Sequence, residues 1–114
     1  MRNELRFLAN ALARLADEHD NKTEASLRDI SEHGLSIKSE DFIDVEPNSV
    51  YEITVIPEEE TKIKEFRLKI ESRWIKLNRS RMESGFSILI SSESEDLKTY
   101  LDYLAKNSKE DAAN

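Results

Sequence analysis

The chain has no cysteine, which excludes disulfides and thiolate metal centres and is compatible with a reducing compartment. It has only two glycines, too few for a glycine-rich phosphate loop, so each glycine marks a position where a side chain does not fit. No apolar run approaches the roughly 18–20 residues that span a bilayer, and the start lacks the charged-then-apolar order of a signal peptide. Membrane insertion is therefore not expected, and a cytoplasmic location is. Positive charge is also scarce: 17 Lys and Arg stand against 24 Asp and Glu, a net charge of −7. A nucleic-acid polymer is bound through basic stripes that displace counterions, so that partner class is disfavoured. A small dianion is not, because a few arginines can outweigh a diffuse negative field within a Debye length of ~8–10 Å.

Catalytic patterns are missing too. There is no nucleophile–base pair and no pair of carboxylates in an apolar setting, so an enzyme is not expected. The two histidines, His19 and His33, lie far apart with no third ligand at a recognisable spacing, so neither a metal nor a cofactor is expected.

What is present suits one small domain. The chain has 114 residues, 38% hydrophobic and 36% charged, enough for a single modest core under a heavily ionised surface. Residues 1–6 form a polar arm carrying Arg2 and Arg6. Residues 7–16 are ambiguous: Leu5, Leu8, Leu12 and Leu15 recur at helical spacing, yet the segment can also be read as a strand turning through residues 18–22 into a second strand at 23–30. Strands are expected at 35–37 and at 50–56, the latter bounded by Pro47-Asn48 and Pro57. Phe42 and Val45, between them, are expected to plug one end of the fold. Glu58, Glu59 and Glu60 read as a solvent-facing hairpin tip. Ile63, Phe66, Leu68, Ile70, Trp74, Ile75 and Leu77 suggest a long strand that changes phase at a bulge near Ser72. Residues 78–84 read as a basic turn and 85–90 as the last strand. Ser92 to Glu95 fits a capping box that opens a helix at about 93–106, with Leu97, Leu101 and Leu104 on one face and Tyr100 and Tyr103 beside them. Residues 107–114 are polar and expected to be disordered.

One segment stands out: Asp29-Ile30-Ser31-Glu32-His33-Gly34, read with Arg2 and Arg6. The joint pattern Arg-x-x-x-Arg and Asp-x-Ser-x-x-Gly resembles the PilZ domain, a family of small β-barrels that bind cyclic di-GMP. Trp74 and Gly85-Phe86 fall where that family commonly has a tryptophan on a middle strand and a glycine opening the last one. The resemblance covers most of residues 2–90. It implies a mainly β fold, a small antiparallel barrel of six or seven strands over residues 7–106 with a C-terminal α-helix, and it favours strand over helix for residues 7–16.

The resemblance also implies a ligand site at Arg2, Arg6, Asp29, Ser31 and Gly34, with His33, Arg28, Trp74, Arg79 and Arg81 as possible neighbours. Guanine offers O6 and N7 to a guanidinium fork, and arginine also pairs with phosphate. Asp29 can accept from the guanine N1–H and amine, or orient an arginine. Alternation along a strand puts Ser31 on the same face as Asp29, where its hydroxyl can donate to a phosphate. Plainer readings stand beside these: Asp29 as a strand-end cap with Arg28 facing solvent, Trp74 as core, and Arg79 and Arg81 as a solvated loop. In the family a further arginine just before the motif accompanies a stacked ligand dimer. Met1 occupies that place, so a single ligand is expected. The implied function is a cyclic di-GMP receptor whose arm orders on binding and signals to a protein partner in motility, exopolysaccharide or biofilm control, as a monomer or weak dimer. Two rivals are a ligand-free protein–protein adaptor of the same fold, and an oligomer joined through a helical seam at residues 3–18.

Overall fold

The computed structural model describes residues 6–16, 21–40, 43, 45–78, 81–89 and 94–107. Among the described residues, seven strands, one 3-10 turn and one helix follow in order: β1 (Phe7–Leu8), β2 (Leu12–Ala16), β3 (Lys22–Ile30), β4 (Gly34–Ser39), β5 (Val50–Ile56), the turn Glu59–Thr61, β6 (Phe66–Asn78), β7 (Arg81–Ile88) and α1 (Ser94–Asn107). All pairings are antiparallel. The order β3-β2-β5-β6-β7-β4 closes through β3–β4 into a six-stranded barrel, with β1 as an added strand on β3. Closure removes the open edges along which such strands would otherwise pair with other chains.

The ambiguous residues 7–16 are strand, not helix. Leu12 to Ala16 pair with both β3 and β5, and Phe7 and Leu8 pair with Ile30 and Asp29. Between them, Ala9 N–H donates to the Arg28 carbonyl and Leu27 N–H to the Ala11 carbonyl, so the two pieces run along β3 as one interrupted strand. Helical propensity gives way because Ala13 and Leu15 gain core burial at a period of two. The helical seam is thereby excluded over the described part of 3–18.

Alternate residues of each strand fill the interior: Ala25 and Leu27, Leu35 and Ile37, Tyr51, Ile53 and Val55, then Phe66, Leu68 and Ile70. One end is closed by Ile43 and Val45, with Ile43 N–H directed at Met82 Sδ and Glu46 N–H donating to the Tyr51 hydroxyl. Phe42 lies outside the described residues. α1 runs to Asn107, one residue beyond the expected end, and Ser92 of the expected capping box is outside the described residues. Tyr100, not Leu101, centres its buried face between Leu97 and Leu104, its ring 6.0 Å from that of Phe66.

Two further expectations need correction. The turn after β6 is shorter than residues 78–84, because Arg81 already pairs with Asn78 and β7 begins there. Only Glu59 and Glu60 form an exposed acidic tip. Glu58 turns inward and accepts from the Tyr100 hydroxyl at 2.8 Å and from Asn10 N–H at 3.2 Å.

Candidate functional site

Gly34 opens β4 after the three-residue turn that leaves β3. Ser31 N–H donates to the Gly34 carbonyl at 2.8 Å, and the Ser31 hydroxyl donates to the same oxygen and accepts from Gly34 N–H, both at 3.1 Å. Ser31 is fully buried. Its hydroxyl therefore locks the turn and is not offered on the sheet face with Asp29, as alternation had suggested. Neither glycine has a positive φ. Space is tight at Gly34: a Cβ there would sit 3.1 Å from Arg6 Nη2 and 3.2 Å from the Phe86 carbonyl.

Asp29 reaches the outside through a bulge. Leu27 pairs with Ile37, but Asp29 pairs with Ser36, so Arg28 is an extra residue on β3. Simple alternation would send Asp29 inward with Leu27. The inserted residue turns both Arg28 and Asp29 outward and returns Ile30 to the core. Arg6 Nη1 donates to Asp29 Oδ1 at 2.5 Å, and the pairing of Phe7 with Ile30 holds the backbone there. The Arg6 side chain is 44% exposed, and its Nη2 lies against Gly34. Arg28 leans the other way, its Nη1 donating to Glu83 on β7 at 3.1 Å.

A second bulge faces the first across the sheet. Ser72 pairs with Phe86 and Trp74 with Gly85, leaving Arg73 as the extra residue of β6. Arg73 Nε donates to Ser87 Oγ at 2.7 Å, and its Nη2 lies 3.4 Å from Glu71 Oε1. Ser87 pairs with Gly34, so a second guanidinium flanks the glycine on the side away from Arg6. Sequence reasoning placed the bulge and passed over its arginine. The available signal was an arginine at the phase change itself, next to the only tryptophan. Trp74 is not core: its indole lies where a Gly85 Cβ would be, on the outer face and 44% exposed. One row of paired residues thus crosses five strands: Leu8, Asp29, Ser36, Gly85 and Trp74.

Of the other candidates, His33 sits exposed in the turn, its Nε2 4.0 Å from Glu32 Oε1. Arg81 is four residues along β7 from Gly85, roughly 13 Å at the rise of a strand, and borders a different groove with Leu12, Lys38 and Glu40. Arg2 and Arg79 lie outside the described residues. Among the described residues, no three His, Cys, Asp or Glu side chains gather as a cation site. Nor is any helix among them long and apolar enough to cross a membrane. The site is an open sheet face with a guanidinium on each side of a bare backbone, a carboxylate, and an aromatic plate. Such a face can grip an anion and stack a planar ring.

This fold recurs in known structures. The PilZ domain of YcgR from Escherichia coli, solved with c-di-GMP, superposes with a TM-score of 0.76 at 14% identity, covering 99% of this chain and 98% of that one. The MrkH–c-di-GMP complex of K. pneumonia gives 0.78 at 12% identity, covering 96% of this chain and 53% of its own. The Bacillus subtilis inhibitor of motility, MotI/DgrA, gives 0.76 at 16%, covering 96% and 51%. The chain thus spans about half the length of the last two. No curated protein sequence matches it. The family model for the PilZ domain matches residues 1–106, taking in the barrel, both arginines of the arm and the Asp29–Gly34 turn, and the chain belongs to the PilZ domain family.

Proposed function

We propose that this chain is a cyclic di-GMP receptor that uses the outer face of β3, β4, β7 and β6. The observation that carries this reading is the Arg6–Asp29 pair laid over Gly34. Asp29 orients the guanidinium and leaves its other N–H groups free for guanine O6 and N7 or for a phosphate. Arg73, held by Ser87 and Glu71, supplies positive charge from the opposite side of Gly34, and Arg2 supplies it from the arm. Ser31 contributes by fixing the turn, and Trp74 offers a surface for a guanine ring. YcgR and MrkH, solved with c-di-GMP on the same fold, support the choice of ligand.

The ligand acts as a bridge. It draws the first residues onto the barrel, and a protein partner reads the combined surface. Because linkage requires differential affinity, the arm is less ordered before binding than after it. The inhibitor of motility among the similar structures supports a role in regulating motility. Nothing in this mechanism calls for bond making, and it is a cytoplasmic binding function.

Calorimetry with cyclic di-GMP is the test. The unaltered chain gives a saturable heat, and Arg6→Ala lowers affinity by roughly 10- to 100-fold, the worth of a charge-assisted hydrogen bond of about 1.5–3 kcal/mol. Unchanged binding in that variant removes the Arg6 clamp. No heat from the unaltered chain at high micromolar ligand leaves a protein–protein adaptor on the same barrel.

A further inference from the structure

Ser36 is an anomaly on the outer face of the barrel. Its neighbours on β4, Leu35 and Ile37, both fill the core, so the Ser36 side chain points outward. Yet it is only 2% exposed, and among the described residues its hydroxyl is one of two buried side-chain oxygens with no hydrogen-bond partner. Buried hydroxyls are almost always partnered, and one that is not calls for an explanation. The second orphan, Ser72, pairs with the core residue Phe86 and follows the inward phase of Leu68 and Ile70, so it faces the interior. Ser36 alone faces the proposed ligand. It pairs with Asp29 on one side and with Gly85 on the other, and the Trp74 indole rests on Gly85.

We infer that the Ser36 hydroxyl is a ligand contact, donating a hydrogen bond to the carbonyl O6 of a guanine seated on β4 between the Asp29 carboxylate and the Trp74 indole. This rests on the cyclic di-GMP reading above and assigns a further residue to it. Guanine presents two donors, N1–H and the amine, beside one acceptor, O6. A carboxylate next to a hydroxyl donor is the complementary pattern: Asp29 accepts and Ser36 donates. Adenine presents an acceptor, N1, where guanine has N1–H, and that lone pair opposes the carboxylate. The indole is the movable wall of the slot. In the free protein it rests on Gly85, the strand partner of Ser36, and the incoming base displaces it from Gly85 and stacks against it. The orphan hydroxyl is then a donor held in reserve.

A ligand contact and a structural hydroxyl differ in sign. Ser36→Ala removes a buried group that has no partner, so the thermal midpoint of the free protein stays level or rises. Its affinity for cyclic di-GMP in calorimetry falls about five- to tenfold, and its preference over cyclic di-AMP narrows. Ser72→Ala is the control: its midpoint also stays level or rises, and its affinity is unchanged. Equal affinity in Ser36→Ala and the unaltered chain overturns the assignment while leaving the receptor reading intact. A midpoint that falls together with affinity also overturns it, because the hydroxyl is then structural. A chain that gives no heat before any substitution fails at the receptor reading, and the assignment goes with it.

Discussion

A Cβ at residue 85 would fall inside the Trp74 indole, so the ring lies directly on bare backbone and covers a stretch of strand that would otherwise be open to water. Gly85→Ala therefore pushes the ring outward and keeps the fold. The expected loss is about 0.5–1 kcal/mol of cross-strand packing, read by denaturant titration, with a red shift of fluorescence. The chain has a single tryptophan, so that emission reports this ring alone. A spectrum unchanged by the substitution contradicts the stacked position. Gly34 uses the same absence of a side chain differently. It leaves room for the Arg6 guanidinium, and the turn beside it is held by Ser31, whose small hydroxyl satisfies both polar groups of Gly34.

The β1–β2 connection, the 3-10 turn and α1 meet at one carboxylate. Glu58, just before the 3-10 turn, accepts from the backbone of Asn10 and from the hydroxyl of Tyr100. Burial, and then the bond to Glu58, hold the Tyr100 hydroxyl well above the usual tyrosine range, so it stays neutral in the folded chain. In the unfolded chain it ionises near its ordinary value of 10.0. The stability it contributes is thus complete below that pH and is lost progressively above it. Denaturant titrations between about pH 9 and 11 should show a decline in the unaltered chain that Tyr100→Phe lacks. At neutral pH the same variant is weaker by about 1–2 kcal/mol, because one acceptor of Glu58 loses its donor. A pH dependence identical in the two proteins removes Tyr100 from the account.

A closed barrel with a net charge of −7 gives this domain two general properties. Closure makes the strands one cooperative unit, so a ligand that spans β3, β4, β7 and β6 stabilises all of them together. At a cyclic di-GMP concentration 100 times the dissociation constant, linkage adds about 2.7 kcal/mol. For a domain of this size, that raises the thermal midpoint by roughly 10 °C, with little shift in Arg6→Ala. A melt that separates into two transitions contradicts the single unit. Within that overall negative field, Arg6 and Arg73 set the local field at Gly34 within a Debye length of ~8–10 Å.

The motif Asp29 to Gly34, the strand at 50–56, a long strand through Phe66 to Leu77 (read as starting at Ile63, three residues early), the bulge near Ser72 and the C-terminal helix were readable along the chain, because apolar period and turn chemistry are local. The bulge at Arg28 was not. Nothing in Leu27-Arg28-Asp29 signals that a residue is inserted, since the insertion exists only relative to the register of β4. The same reason hides Arg73 beside Ser87 and Ser36 between Asp29 and Gly85: each depends on which residue of a distant strand lies opposite. Residues 7–16 carry helical spacing and fold as strand, because pairing to β3 and β5 and burial of Ala13 and Leu15 outweigh a weak local preference. Composition and motif named the family. Strand register, which no local stretch encodes, chose the side chains that share the outer face with Gly34.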